Sequence, residues 1–111
     1  MAFPPSYGAT HVTVALEGPA VAVGCAGARF GDGVAELTKV FAVPSARGNG
    51  LGRRLIARLE EICVDRGIHT LRLDTRADLV EACALYERTG FVMVDAFNDE
   101  PYSDRWYAKS L

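Results

Sequence analysis

Val43-Pro44-Ser45-Ala46-Arg47-Gly48-Asn49-Gly50-Leu51-Gly52 joins an apolar, strand-like run to an amphipathic, helix-like one. Pro44 has no N–H to give a ladder, so the strand ends there. The three glycines leave the backbone bare where the helix opens, near Gly50. Successive amides at a helix start, with no side chains in the way, form a site for an anion. The stretch is therefore expected to cradle a phosphate-bearing ligand.

Downstream, the helix is expected from about Gly50 to Arg66, with Gly67 as its stop. Leu51, Leu55, Leu59, Ile62 and Cys63 recur at spacings of three and four on one face. Arg53, Arg54, Arg58, Glu61 and Asp65 lie away from it. His69–Thr75 reads as a strand with Leu71, Leu73 and Thr75 on one side and Thr70, Arg72 and Asp74 on the other. Asp78-Leu79-Val80-Glu81 has capping-box spacing and opens a second helix, Leu79–Thr89, that stops at Gly90. Phe91–Asp95 and Asp104–Leu111 read as strands, with a loop at Ala96–Ser103 between them.

Upstream, His11–Leu16, Ala20–Phe30 and Val34–Val43 are three strand runs. They are separated by Glu17-Gly18-Pro19 and by the hairpin signal Gly31-Asp32-Gly33. Met1–Thr10, with two prolines, reads as a flexible tail. The order βββαβαββ predicts a single α/β domain over residues 1–111, on a mixed and mostly antiparallel sheet with two helices.

Glycine-rich turns before helices are common, so RGxGxG alone leaves the ligand open. A P-loop requires Lys then Ser or Thr after its last glycine, and here Arg53 and Arg54 follow Gly52. A dinucleotide fingerprint requires an acidic residue about twenty positions on, and Asp74 stands near that distance. The antiparallel hairpins upstream argue against that fold, whose strands and helices alternate from the start.

The second helix carries Ala82-Cys83-Ala84-Leu85-Tyr86-Glu87-Arg88-Thr89-Gly90-Phe91, the pattern AxxLYxxxGF. With VPxxRGxGxG upstream it resembles the GNAT superfamily of acyl-CoA N-acyltransferases, from about Val12 to Leu111. The resemblance implies acetyl-CoA as co-substrate. Its pantetheine would pair with the backbone of Phe41, Ala42 and Val43. Its pyrophosphate would lie against Arg47, Gly48, Asn49, Gly50, Leu51, Gly52 and Arg53; Arg54 could also contact it, with solvation on the helix as its plainer reading. Tyr86 matches the family's tyrosine that protonates the departing thiolate; without the pattern it reads as a packed core ring.

Glu36 and Asp74 match positions used as general base in different members, with water-mediated deprotonation as the alternative. Holding a lysine-like amine neutral at pH 7 costs roughly 4–5 kcal/mol, and an α-amine about 1–1.4 kcal/mol. A base therefore matters more for the first kind of acceptor. The expected activity is acetyl transfer to a primary amine by direct attack; a binding module without turnover is the alternative. Leu79 stands where many members place a cofactor-binding asparagine. The family's usual first strand and two following helices have no counterpart, which would bare sheet surface and is the basis for expecting a homodimer.

Composition sets the outer bounds. Of 111 residues, 50% are hydrophobic and 23% charged, with a net charge of −2. No bulk attraction to nucleic acid or anionic membrane follows from that balance. The start Met-Ala-Phe-Pro-Pro lacks signal-peptide features, and no apolar run is long enough to span a bilayer. Cys25, Cys63 and Cys83 are widely spaced, with no CxxC pair, and fit free thiols in a cytoplasmic protein without a metal site. His11 and His69 read as surface residues. Of Trp106 and Tyr107, which alternate on the last strand, one is expected in the core.

Overall fold

The computed structural model describes residues 6–7, 11–17, 22–42 and 50–111, with side chains for 28–38 and 50–111. Its strands are β1 (Ser6–Tyr7), β2 (His11–Glu17), β3 (Ala22–Phe30), β4 (Val34–Ala42), β5 (Thr70–Thr75), β6 (Val92–Val94) and β7 (Arg105–Ser110). Its helices are α1 (Leu51–Asp65) and α2 (Val80–Arg88). The strands form one sheet in the order β1-β2-β3-β4-β5-β7-β6. Every pairing is antiparallel except β4 with β5. This is the mixed, mostly antiparallel two-helix architecture expected from sequence, with one addition. Ser6–Tyr7, read as part of a tail, pairs with Val12 and Thr13 of β2.

Both helices supply the same core. Leu51, Leu55, Ile56, Leu59, Ile62 and Cys63 of α1 are buried with Leu71 and Leu73 of β5, Cys83 and Tyr86 of α2, and Tyr107 of β7. The helical period of α1 dictates this, since its arginines at 53 and 54 fall on the exposed side. Gly67, at φ 77°, ends α1 in the left-handed region. In β5 the alternation is strict: Leu71, Leu73 and Thr75 are buried, and Thr70, Arg72 and Asp74 are half-buried on the far face. Tyr107 enters the core and Trp106 takes the far face, as the period of two requires.

The capping box does not form. Leu79 is the N-cap of α2 and no side chain caps that end. Asp78 instead accepts a hydrogen bond from Arg76 Nε at 3.1 Å. At the other end of α2, Lys109 Nζ donates to the Thr89 carbonyl at 2.6 Å and to Glu60 Oε1 at 2.8 Å. It thereby ties β7 to both helices.

Candidate active site

The parallel pair β4–β5 lasts three rungs: Val34–Thr70, Ala35–Leu71 and Glu36–Arg72. Beyond the third rung the strands part. β4 continues along β3 as far as Ala42, and β5 continues along β7 as far as Thr75. A bulge marks the departure, because Ala28 pairs with Leu37 while Gly27 pairs with Lys39, leaving Thr38 as the extra residue. An extra residue bends its strand and increases its twist. The result is a wedge whose two walls are strand edges with backbone groups unclaimed by each other. Such edges take up a ligand that carries amides of its own. Phe41 and Ala42 lie on the β4 wall, in register with Cys25 and Gly24 of β3.

The start of α1 carries no side-chain cap among the described residues. Gly50 is its N-cap at φ 72° and ψ 13°, with no acidic residue in the first turn. The first helical bond is Arg54 N to Gly50 O at 3.1 Å. The Leu51, Gly52 and Arg53 amides therefore precede the intrahelical ladder. A Cβ on Gly50 would meet nothing within 4 Å among the described residues. Leu51 is buried, and any role it has at a ligand belongs to its amide. Gly52 has a packing function: a Cβ there would stand 2.7 Å from Leu85 Cδ2. Its absence lets the first turn of α1 close on α2. Val43, Arg47, Gly48 and Asn49 lie outside the described residues, as do the side chains of Phe41, Ala42, His11 and Cys25.

Tyr86 sits on the second helix beside the wedge. Its ring meets Phe91 edge-on at 5.8 Å and Tyr107 at 5.9 Å. Tyr107 is in register with Leu73, the first β5 residue beyond the last β4–β5 rung. Tyr86 is buried, and burial pushes its phenol above the ordinary value by disfavouring the charged form. Its hydroxyl has no hydrogen-bond partner among the described residues. It is thus a protonated phenol that donates to none of the described residues. Tyr107 differs: its hydroxyl donates to Glu87 Oε2 at 2.6 Å, and burial with that bond pushes it up to about 12. Leu79 and Val80, at the uncapped start of α2, are exposed apolar residues.

The two carboxylates have unlike surroundings. Arg29, Glu36 and Arg72 form one row across β3, β4 and β5 at the vertex of the wedge. Both Glu36 oxygens accept from guanidiniums, one from Arg29 and the other from Arg72 Nη2 at 3.0 Å. Asp74 lies one turn of the strand further, on the far face of the β5 wall. Its oxygens accept from neutral donors, Ser103 Oγ at 2.6 Å and Asn98 Nδ2 at 2.9 Å. Asn98 in turn accepts from Trp106 Nε1 at 3.0 Å. The segment between β6 and β7 thereby folds over the far face, where the Phe97 ring also lies 4.2 Å beneath the Arg72 guanidinium. His69 is exposed, bonded to Thr70 Oγ1 at 2.9 Å. Cys63 and Cys83 are free and buried. Among the described residues no group of three or more His, Cys, Asp or Glu could hold a metal ion.

Residues 4–91 match the family model for the acetyltransferase (GNAT) family. The chain belongs to this family. An N-acetyltransferase from Escherichia coli K12, YjgM, described as uncharacterized, is 39% identical over 62 residues, which are 56% of this chain and 37% of that protein. The matched stretch spans less than two-fifths of the length of this relative and of an IAA acetyltransferase from Azospirillum brasilense. Among solved structures, a protein from Klebsiella pneumoniae provisionally assigned as an acyl-CoA N-acyltransferase superposes with TM-score 0.85 at 36% identity. That match covers 92% of this chain and 73% of the other. PaiA N-acetyltransferase from Thermoplasma acidophilum, solved with coenzyme A, gives TM-score 0.83 at 20% identity over 92% and 62% of the two chains. At that identity it shows the shared fold. No helix of the described residues is long and apolar enough to cross a membrane.

The family's motifs point to the wedge, the start of α1 and Tyr86. They leave out the far face. Arg29, Arg72, Asn98, Ser103 and Trp106 were reachable only as polar positions of alternating strands or as loop residues. Their meeting depends on strand order, which no local pattern in the sequence states.

Proposed function

We propose that the protein transfers an acetyl group from acetyl-CoA to a primary amine by direct attack, with no covalent enzyme intermediate. One observation carries this reading: β4 and β5 part after the Glu36–Arg72 rung, and Tyr86, whose hydroxyl has no partner among the described residues, packs on Tyr107, the register partner of Leu73 on the β5 wall. The fit to acetyl-CoA is chemical. The amides of Leu51–Arg53 and the exposed guanidiniums of Arg53 and Arg54 suit a pyrophosphate. The unclaimed edges of Phe41–Ala42 and Leu73–Thr75 suit the amides of pantetheine. Val43, Arg47, Gly48 and Asn49 complete the cradle in this reading.

In the transfer, the amine nitrogen bonds to the thioester carbon and the C–S bond breaks. Tyr86 gives its proton to the departing sulfur and is reprotonated from solvent. The proton shed by the amine passes to Asp74 or to water. Asp74 suits this role better than Glu36, because its partners are neutral and no ion pair must be broken. Orientation by the two walls supplies several kcal/mol of the barrier reduction.

Calorimetry with acetyl-CoA, followed by thiol-release assays over amine acceptors, tests the reading. Binding and release are both expected. Binding without release on any amine would leave a binding module, and no heat would overturn the cradle itself. Gly50→Ala, which strains the αL position and puts a methyl over the amides, is expected to weaken binding at least about tenfold.

A further inference from the structure

On the far face, at the vertex of the wedge, an open hollow of about 330 Å³ is lined by Arg29, Phe30, Gly31, Asp32, Val34, Glu36 and Arg72. It runs from the last β4–β5 rung to the β3–β4 turn. A molecule seated in it has one end where the walls of the wedge meet. The hollow is the size of a small amine rather than of a cofactor.

Its chemistry is biased toward donors. Glu36 is the carboxylate at the vertex, and both its oxygens are occupied by Arg29 and Arg72. A cationic acceptor would have to displace a guanidinium to reach it. The guanidiniums are not so committed. Arg72 uses Nη2 on Glu36 and lays its plane on Phe97, and its Nε is buried with no hydrogen-bond partner among the described residues. The buried Nε is not the donor a ligand would meet; the part-exposed Arg72 side chain lines the hollow, and a planar, fork-shaped cation matches a carboxylate best. Arg29, half-exposed on the same row, adds a second fork.

We infer that this hollow receives the carboxylate of the acceptor, so that the substrate is a small amino acid-like amine carrying an anionic group. The inference rests on the acetyl-transfer reading for its orientation, since the amine must then lie toward the wedge. Arg72 and Arg29 hold the carboxylate, and Glu36 keeps the two guanidiniums in place.

The test compares α-amino acids, each with its amide and its decarboxylated amine, in two measurements. One is thiol release with saturating acetyl-CoA. The other is calorimetric binding to the protein loaded with coenzyme A, which needs no turnover. The acid is expected to exceed its amide and amine by about tenfold to a hundredfold in kcat/KM or in affinity. Arg72→Gln should erase the preference by raising KM for the acid, with acetyl-CoA affinity unchanged. Arg29→Gln should reduce it in part, and Arg72→Lys should restore some of it. Melting curves check that the variants fold. Equal response to acid, amide and amine, preference for a diamine, or no binding of any acid overturns the inference. Selective binding of acids without thiol release upholds the inference and overturns the transfer reading alone.

Discussion

Replacing Tyr86 by Phe removes one hydroxyl and leaves the ring. The structure separates the consequences cleanly. The contacts with Phe91 and Tyr107 are made by the ring and survive. The hydroxyl has no described partner, so folding stability should change by no more than about 0.5 kcal/mol. Acetyl-CoA affinity should hardly move. Turnover should fall about 10²–10⁴-fold if the phenol protonates the leaving sulfur, or roughly 3–5 kcal/mol of barrier. The pH dependence follows from burial, which disfavours the phenolate and raises the pKa above 10. The donor form is therefore complete throughout the neutral range, and the wild-type rate should be lost only above pH 10. That alkaline limb should vanish in Tyr86→Phe. Free-thiol release at saturating substrates measures the rate, and a thermal melt measures stability. Tyr107→Phe is the control. It loses the bond to Glu87, should cost about 1–2 kcal/mol of stability, and should spare most of the rate. Equal turnover of Tyr86→Phe and wild type would refute the general-acid role.

Gly52→Ala should loosen the α1–α2 contact, because its Cβ would press on the Leu85 tip. In a cycle of urea midpoints with Leu85→Ala, the double variant should be more stable than the sum of singles by about 0.5–2 kcal/mol; strict additivity would exclude the contact. Alkaline stability should fall in a predictable window. Burial pushes Cys63 from 9.0 to about 11 and Tyr107 from 10.0 to about 12, so the folded chain keeps protons that the unfolded chain releases. Stability should be level below pH 9 and decline from there to about pH 12, by up to roughly 1.4 kcal/mol per pH unit for each group. Cys63→Ala should remove the earliest part of that decline, and a urea midpoint unchanged between pH 9 and 11 in the wild type would contradict it.

Elements whose side chains answer to one local period were readable in advance. The arginines and leucines of α1 fall on opposite sides because 3.6 residues make a turn, and β5 alternates as its side chains do. Gly31-Asp32-Gly33 made its hairpin, with Gly33 at φ 71°. Competition between neighbours was not readable. Asp78 has the spacing of a cap, yet Arg76, two residues away, holds its carboxylate before the α2 amides can. The Ser6–Tyr7 pairing depends on an edge of β2 that a proline-rich start does not announce. At the candidate site the same division holds. Gly50 and Tyr86 belong to contiguous motifs. Glu36 and Arg72 stand thirty-six residues apart and become register partners only because β4 and β5 pair in parallel.

That pairing explains why one carboxylate cannot be read in isolation. In sequence, Glu36 lies between two residues that are both buried, Ala35 and Leu37, and looks like a free strand carboxylate pointing out. In the sheet it occupies the last rung before β4 leaves β5, with Arg29 on one flank and Arg72 on the other. Half-exposed ion pairs of this kind contribute only about 0–1 kcal/mol each to stability. Their consequence is geometric: one carboxylate spanning three strands fixes two guanidiniums at the vertex of the wedge. A group so placed is better suited to presenting donors than to accepting a proton. In the proposed transfer the deprotonating role would fall instead to Asp74 on β5, whose partners are a hydroxyl and an amide. If the proposed transfer holds, the far face divides its labour along a single strand, with Arg72 placed to meet the acceptor and Asp74, two residues on, placed to take its proton.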